Sequence, residues 1–332
     1  MGLSFKHDNT SEQFDTLKLD REENIPGVLL ENTYTRDQIV AFIAGVRADL
    51  YNEKVFITPR VSFKYSFTEN LDLRANVGTG WKNAFVLAEN PGVLVSSKSI
   101  IIPEELLPQE SINFGTSLVK KFKWFFRKGT FILDAYHTRF KNMVIPDYDF
   151  DFTKVIFSNF EGQAWSNAVQ AEFAWEIFKN VDLKLAWKFL DVQKEEKGVR
   201  EELPFIARHR ALATFHYETF NRKWTTTFTT QWFGVKRMPY TLFNPIAYQR
   251  PLYSDPYFKL NLQVNRVMKR HEFYLGAENL LNFIQRDAII SANQPYGPYF
   301  DTSFIWGPLE GRRIYFGWRF NVEKQVVTTK KE

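Results

Sequence analysis

The chain has 332 residues, a formal net charge of +5 at pH 7 and no cysteine. The lack of cysteine excludes a disulfide framework, a thiol nucleophile and a zinc–thiolate site. The net charge is small for this length and the basic residues alternate with aromatic ones, so no nucleic-acid partner is expected.

Aromatic residues are frequent, with 33 Phe, 14 Tyr and 9 Trp, yet the mean hydropathy is negative at −0.33. This combination is typical of a barrel that has an apolar outer surface and a polar interior. No apolar run approaches the roughly 18 residues that a transmembrane helix needs. The N-terminal sequence MGLSFKHDNT lacks the charged start and apolar stretch of a signal peptide, so for an exported protein Met1 is not the expected natural start.

Apolar and polar residues alternate with a period of two through most of the chain, which predicts β-strands. In residues 55–67, valine, isoleucine, phenylalanine and tyrosine occupy one face, while threonine, arginine, serine and lysine occupy the other. The pattern recurs in residues 71–81, 181–189, 258–264 and 314–320. About 13 such strands are predicted, most of them about 10 residues or longer, which is the length that crosses a bilayer at a tilt.

Short turns alternate with long loops between these strands. Short turns are predicted at residues 35–37, 68–70, 179–180, 221–223 and 269–271, and long loops at about 82–108, 143–164, 193–207, 237–256 and 283–309. The segment 51–54 is an exception, because it is short where a long loop is due. Bacterial outer-membrane barrels have short periplasmic turns and long extracellular loops. The predicted fold class is therefore all-β, an antiparallel transmembrane β-barrel meander; a soluble two-sheet protein with its apolar face inward is the alternative.

Several motifs, taken in order, resemble the barrels of TonB-dependent receptors. They are Leu71–Trp81 (LDLRANVGTGW), Leu87–Asn90 (LAEN), Pro103–Gly115 (PEELLPQESINFG), Gly276–Phe283 (GAENLLNF) and Gly311–Phe320 (GRRIYFGWRF). The similarity runs from about residue 26 to residue 322. Trp81 and Lys82 stand where the family has Phe-Arg, and a polar tail follows Phe320, where the family's last strand often ends the chain.

The resemblance implies a 22-stranded barrel that is filled by an N-terminal plug domain. It also implies that the inner-membrane TonB complex supplies the energy for import. Residues 1–322 are expected to form the C-terminal part of such a barrel, incomplete at about 13 strands, and residues 323–332 a polar C-terminal tail. The plug domain and the first strands are expected to be absent from this sequence. Because an open edge in lipid leaves backbone groups unpaired, the first strand is expected to pair with a strand from elsewhere.

No catalytic site is predicted, and the chain is not expected to be an enzyme. Its five histidines are scattered, with no pair at metal-ligand spacing. There is no nucleophile elbow and no phosphate-binding loop. Residues 147–151 alternate like a calcium-binding loop but lack its glycine and its terminal glutamate. No metal and no cofactor are therefore expected.

Ligand contacts are expected from the long loops, where aromatic and polar side chains stand among turn-forming residues. The selected positions are Trp81, Phe85, Glu89, Asn90, Tyr148, Tyr296 and Tyr299. The alternative interpretation is that these loop residues pack only on their neighbours.

The resemblance implies a receptor of the bacterial outer membrane that binds a scarce solute, such as a ferric siderophore or cobalamin, and imports it with energy from TonB. The expected partners are outer-membrane lipid, a small-molecule ligand and the TonB complex, the last through the missing N-terminal plug. The alternatives are a plug-free passive channel, a barrel enzyme such as a lipase or protease, and a soluble all-β binding protein.

Overall fold

The computed structural model describes residues 1–322, and the predicted polar tail, residues 323–332, lies outside the described residues. The strands are β1 (Gly2–Phe14), β2 (Leu17–Arg36), β3 (Val40–Tyr51), β4 (Lys54–Thr68), β5 (Leu71–Lys82), β6 (Ser99–Ile101), β7 (Gln109–Trp124), β8 (Arg127–Lys141), β9 (Val144–Asp147), β10 (Lys154–Asn159), β11 (Gln163–Phe178), β12 (Val181–Glu196), β13 (Val199–Glu202), β14 (His209–Glu218), β15 (Trp224–Phe233), β16 (Tyr257–Met268), β17 (His271–Glu278) and β18 (Arg313–Phe320). The helical segments are α1 (Val86–Glu89) and two 3₁₀ turns, Pro91–Val95 and Ile246–Tyr248. Among the described residues, no helix has the length and apolar character needed to cross a membrane.

The long strands form one antiparallel meander, a 15-stranded sheet in which each long strand pairs with the next along the chain. The short strand β13 pairs with β12, while β6, β10 and β9 form a separate 3-stranded sheet within the loops. The predicted all-β antiparallel meander is confirmed, with 15 strands in the main sheet where about 13 were expected. Within residues 1–322, the end strands β1 and β18 do not pair with each other, so this part of the chain does not close a barrel alone.

Alternation places the apolar side chains of the long strands on one side of the sheet, which we call the apolar face. Val61 of β4 lies opposite Ala44 of β3 and Val77 of β5, and this row of apolar pairs continues across the meander. Many of these side chains are exposed, including Ile57 at 63% and Phe316 at 68%. An exposed apolar surface of this extent requires lipid or another apolar partner, and it has the alternating pattern of a transmembrane barrel wall.

The other side of the sheet, the polar face, carries charged side chains that pair between strands. Lys184 forms an ion pair with Glu172 at 2.9 Å, and Arg319 forms one with Glu272 at 3.4 Å. Polar side chains on the side away from lipid are expected for the interior of a barrel.

The connections divide the sheet into two ends. Short turns follow β2, β4, β7, β11, β14 and β16 at the short-turn end, whereas long loops follow β5, β8, β12, β15 and β17 at the long-loop end. The short connection predicted for 51–54 is confirmed, because Asn52 and Glu53 form the turn with φ of 47° and 61°. Positive φ at both central residues is the mark of the type I′ hairpin turn, whose twist matches that of paired strands.

The buried core lies in the long loops rather than in the wall, because a single-layer sheet has no second layer on which to pack. The main group of buried apolar residues, called here the loop core, consists of Ala84, Val86, Leu87, Val93, Tyr148, Val155 and Phe157. The loops that follow β5 and β8 are therefore folded together at one end of the sheet.

Candidate functional site

The hairpin formed by β1 and β2 reaches beyond the neighbouring strands and covers the loop core. Pairing of β2 with β3 ends at Gly27 and Asp49, whereas pairing of β1 with β2 continues to Phe14 and Leu17. The protruding part packs Phe14 and Leu17 on the loop core. The carboxylate of Glu12 accepts the backbone N–H of Leu87 at 3.1 Å and that of Ala88 at 2.9 Å. These bonds satisfy two amides of α1 that the short helix leaves without an internal partner.

Three predicted ligand residues lie on or beside α1. The ring of Phe85 is covered by the guanidinium of Arg21, whose Cζ lies 4.3 Å from the ring centroid. Glu89 is exposed and forms an ion pair with Lys82 at 2.7 Å. The Asn90 side-chain amide donates to the carbonyl of Val86 at 2.9 Å, so it caps the end of α1. Phe85 and Asn90 are thus already engaged in holding the loop, while Glu89 faces solvent.

Trp81 lies at the end of β5, beside a gap in the sheet. The ladder between β4 and β5 ends at Arg60 and Gly78. The adjacent Pro59 has no N–H to donate, which favours the end of pairing there. Beyond this point the indole of Trp81 stacks on Phe56, with centroids 4.3 Å apart.

The gap between β4 and β5 forms a crevice of about 600 Å³. Phe56, Ile57, Trp81 and Ile112 contribute apolar lining, and Lys54 and Arg139 contribute positive charge. The indole Nε1 of Trp81 donates to Asp49 at 3.3 Å, so the ring is held on two sides.

The three predicted tyrosines differ in their surroundings. Tyr148 belongs to the loop core and is only 9% exposed, and this burial, reinforced by the charge of Asp301, raises the pKa of its hydroxyl to about 12. Tyr299 is half-buried between Phe152, at a centroid distance of 5.0 Å, and Tyr248, at 4.7 Å. Tyr296 is fully exposed at a loop tip, with a relative exposure of 101%. Of the three, Tyr296 has the freest ring for a ligand arriving from solvent.

Two ion pairs fasten the long loops to one another. Lys98 bonds Asp301 at 3.2 Å, with side-chain exposures of 5% and 8%, and also donates to the carbonyl of Phe152 at 3.0 Å. Arg237 bonds Asp149 at 2.6 Å. The loops after β5, β8, β15 and β17 are therefore linked through charged groups, of which the Lys98–Asp301 pair is almost fully removed from water.

The motif GAENLLNF has a structural role at the base of the last loop. The side chain of Asn279 donates to the carbonyls of Phe283, at 2.8 Å, and Glu310, at 3.1 Å. Asn282 accepts the backbone N–H of Arg312 at 2.8 Å, and the Arg312 guanidinium donates to the carbonyl of Leu280 at 2.6 Å. These bonds join the end of β17 to the start of β18, so the motif closes the loop that carries Tyr296 and Tyr299.

A stack of aromatic rings, not selected from the sequence, lies at the long-loop end of β15 and β16. Tyr257 stacks on Phe233 at 4.8 Å and on Phe283 at 4.9 Å, and Trp306 lies 6.0 Å from Tyr257. A cavity of about 800 Å³ borders Tyr257, Phe283 and Trp306. Its volume is in the range of small-molecule sites. In the sequence, these rings are indicated only by an aromatic residue at the same end of successive strands. Strand register is needed to show that the rings stack.

The selected residues are therefore brought together only in part. Phe85, Glu89 and Asn90 share one short segment, and Tyr148 and Tyr299 belong to the joined loops, whereas Tyr296 stands apart. Their role in binding a ligand stays a prediction.

A family model described as "TonB dependent receptor-like, beta-barrel" matches residues 4–280. No curated protein matches the chain. Among solved structures, a mutant of the ferric enterobactin receptor PfeA from Pseudomonas aeruginosa is similar with a TM-score of 0.67 at 13% identity, over 92% of this chain and 46% of that chain. The siderophore receptor PirA from the same organism is similar with a TM-score of 0.60 at 10% identity, over 91% of this chain and 47% of that chain.

The FrpB iron transporter from Neisseria meningitidis gives a TM-score of 0.63 at 10% identity, over 91% of this chain and 46% of that chain. At such identities the likeness is one of fold. The chain spans about half the length of these structures, with 46% of the first and 47% of the second covered.

Proposed function

The chain belongs to the family of TonB-dependent receptor-like β-barrels, and from this premise we propose that it forms wall and loops of a bacterial outer-membrane receptor that takes up a scarce solute. The observation that carries the proposal is the pairing of an exposed apolar face with a charged polar face on one antiparallel meander. In the proposed orientation the apolar face meets lipid, the polar face lines the interior, and the long-loop end faces outward.

The folded long loops support a role in binding a solute at the long-loop end rather than in letting solutes pass through an open channel. They are tied together by the buried Lys98–Asp301 pair and the Arg237–Asp149 pair, and so present a formed surface at the long-loop end. A preformed concave surface with a few polar groups is the usual form of a small-molecule site. We propose a ferric siderophore or cobalamin as the solute, and energy from the TonB complex through a plug domain contributed from outside this chain.

The unpaired edges of β1 and β18 support closure by further strands. An open edge within the hydrocarbon layer leaves amide and carbonyl groups unsatisfied at several kcal/mol each. In the proposed receptor, strands outside residues 1–322 pair with these two edges and complete the barrel.

The test is uptake by cells that express the complete reading frame containing this chain. Radiolabelled ferric siderophores and cobalamin are supplied to otherwise receptor-deficient cells, with and without a functional tonB gene. The proposal expects accumulation of one of these solutes that disappears when TonB is removed. Uptake that persists without TonB would identify a passive channel, and accumulation of none of them would refute the proposed solute class.

A further inference from the structure

Two cations face each other on the polar face. Lys188 of β12 lies directly opposite Arg210 of β14. Residues directly opposite in antiparallel strands have Cβ atoms about 5 Å apart, and like charges in such positions destabilise the sheet. Both side chains are exposed. Such an arrangement is unfavourable unless a negative charge lies between or above the two groups.

In the described part of the chain, the carboxylate diagonal to Lys188, Glu172, is already paired with another lysine of β12. Among residues 1–322, neither Lys188 nor Arg210 forms an ion pair, whereas three other cations of this face do. The neighbour of Lys188 on its other side is Gln170, and the next residue of the same row is Asp134 of β8. Asp134 is thus two strand spacings, or about 10 Å between Cα atoms, from Lys188, and their side chains form no ion pair.

A third cation lies beside this pair. Lys236 follows β15 and donates to the carbonyl of Trp306 at 2.5 Å. Burial lowers the pKa of Lys236, and the positive charge of Arg210 lowers it further. The geometry agrees, because Arg210 lies over the ring of Phe233 and Lys236 lies 6.0 Å from the centroid of Tyr257, and these two rings stack 4.8 Å apart.

Aromatic rings continue the same row of the sheet. Arg210 lies opposite Phe233, and Phe233 lies opposite Tyr257. The guanidinium Cζ of Arg210 is 5.8 Å from the centroid of Phe233. A cavity of about 200 Å³ borders Lys188, Arg210 and Phe233, together with Gln170 and Gln231. The rest of its lining is apolar, from Ala186, Trp187, Ala211, Leu212 and Trp232. This row of opposite residues thus brings two cationic donors, amide donors and the edge of an aromatic stack to the border of one small cavity.

We propose that Lys188 and Arg210 form an anion-binding site on the polar face, which takes a phosphate or carboxylate group of a solute whose planar part contacts Phe233. Arginine and lysine bind these groups through charge-assisted hydrogen bonds. The inference deepens the proposed function, and it rests on that function for the view that the polar face lines the path of the solute.

The experiment uses purified protein from the complete reading frame in detergent micelles, with inorganic phosphate and phenyl phosphate as probes and chloride at matched ionic strength as reference. Calorimetric titration gives Kd, and thermal unfolding gives Tm. Phosphate is expected to raise the Tm of the wild-type protein. Lys188→Gln or Arg210→Gln is expected to weaken phosphate binding about tenfold or more, because each substitution removes a charged hydrogen bond. Phenyl phosphate is expected to bind about 3- to 10-fold more tightly than phosphate, an advantage that Phe233→Ala removes.

Lys184→Gln is the matched control, since Lys184 lies on the same strand and face but is paired with Glu172 at 2.9 Å. Without phosphate, Lys188→Gln should leave Tm unchanged or higher because it removes a like-charge contact, and Lys184→Gln should not raise it. If Lys188→Gln lowers Tm more than Lys184→Gln does, a carboxylate of the protein already neutralises Lys188 and the inference is overturned. Equal phosphate affinity in wild type and Lys188→Gln also overturns it. Phosphate binding without TonB-dependent uptake would instead refute only the proposed function.

Discussion

Replacement of Val61 by arginine tests the assignment of the two faces. Val61 is the central residue of the 15-residue strand β4 and lies on the apolar face between Ala44 and Val77. With a rise of about 3.3 Å per residue and a tilt of about 45°, each half of the strand covers about 16 Å of depth. Because the hydrocarbon layer is about 30 Å thick, Val61 lies near its midplane.

An arginine on the lipid face at this depth costs about 2–4 kcal/mol, or about 30- to 900-fold in the folding equilibrium constant. The expected result for Val61→Arg is a loss of unfolding free energy of this size, measured by denaturant titration of the complete protein in phospholipid vesicles. Ser62→Arg is the control on the adjacent residue. Ser62 lies on the polar face opposite Asn76, so its replacement should be nearly silent.

A soluble protein with an apolar core would also reject Val61→Arg, so a direct measure of lipid contact is needed. A fluorophore at Phe63, which shares the apolar face, should be quenched by a quencher confined to the acyl chains, while one at Ser62 should not. Quenching at 62 without quenching at 63 would show that the faces are reversed. No quenching at either position would refute the membrane assignment itself.

Three further predictions concern the loops. In intact cells, a cysteine at Gly297 should react with an impermeant reagent and one at Arg222 should not; the opposite pattern would reverse the proposed orientation. Asp301→Ala should destabilise the loops by about 3–5 kcal/mol by leaving Lys98 buried without its partner, seen as faster hydrogen exchange around Lys98, whereas unchanged exchange would show the pair to be dispensable. In the folded loops the pKa of Tyr148 is raised to about 12, whereas in unfolded loops it would be about 10. The tyrosine therefore ionises first in the unfolded loops, so loop stability should fall as pH rises from about 10 to about 12. Tyr148→Phe should remove that part of the pH dependence, measured by hydrogen exchange or proteolysis of the loops, and an unchanged profile would contradict the assignment.

The long-loop end shows how one sequence motif can serve the fold and the site at once. Asn279 and Asn282 of the GAENLLNF motif bind backbone groups at both ends of the last loop. That loop then supplies Tyr299 to an aromatic stack and Asp301 to the buried pair with Lys98. The motif is therefore explained by hydrogen bonds from its asparagine side chains to backbone groups across the base of the loop, because buried backbone groups have to be satisfied where a loop folds back on itself.

Local features were readable from the sequence. A strand has a side-chain period of two, so alternation in residues 55–67 was enough to place Val61 and Ser62 on opposite faces. The turn at Asn52 and Glu53 was also predictable, because turn geometry depends on adjacent residues. Strand length and the order of short and long connections predicted an antiparallel transmembrane meander, and the structure and the family match both agree with it.

Contacts between distant residues were decided only by the tertiary structure. Nothing in the sequence near Lys188 indicates that it faces Arg210, because a shift of one residue in strand register would turn one of the two side chains to the other face. The burial of Tyr148 and the pairing of Lys98 with Asp301 depend in the same way on how separate loops pack over the sheet. Alternation is a property of each strand alone, whereas register and loop packing depend on many contacts between segments far apart in the chain.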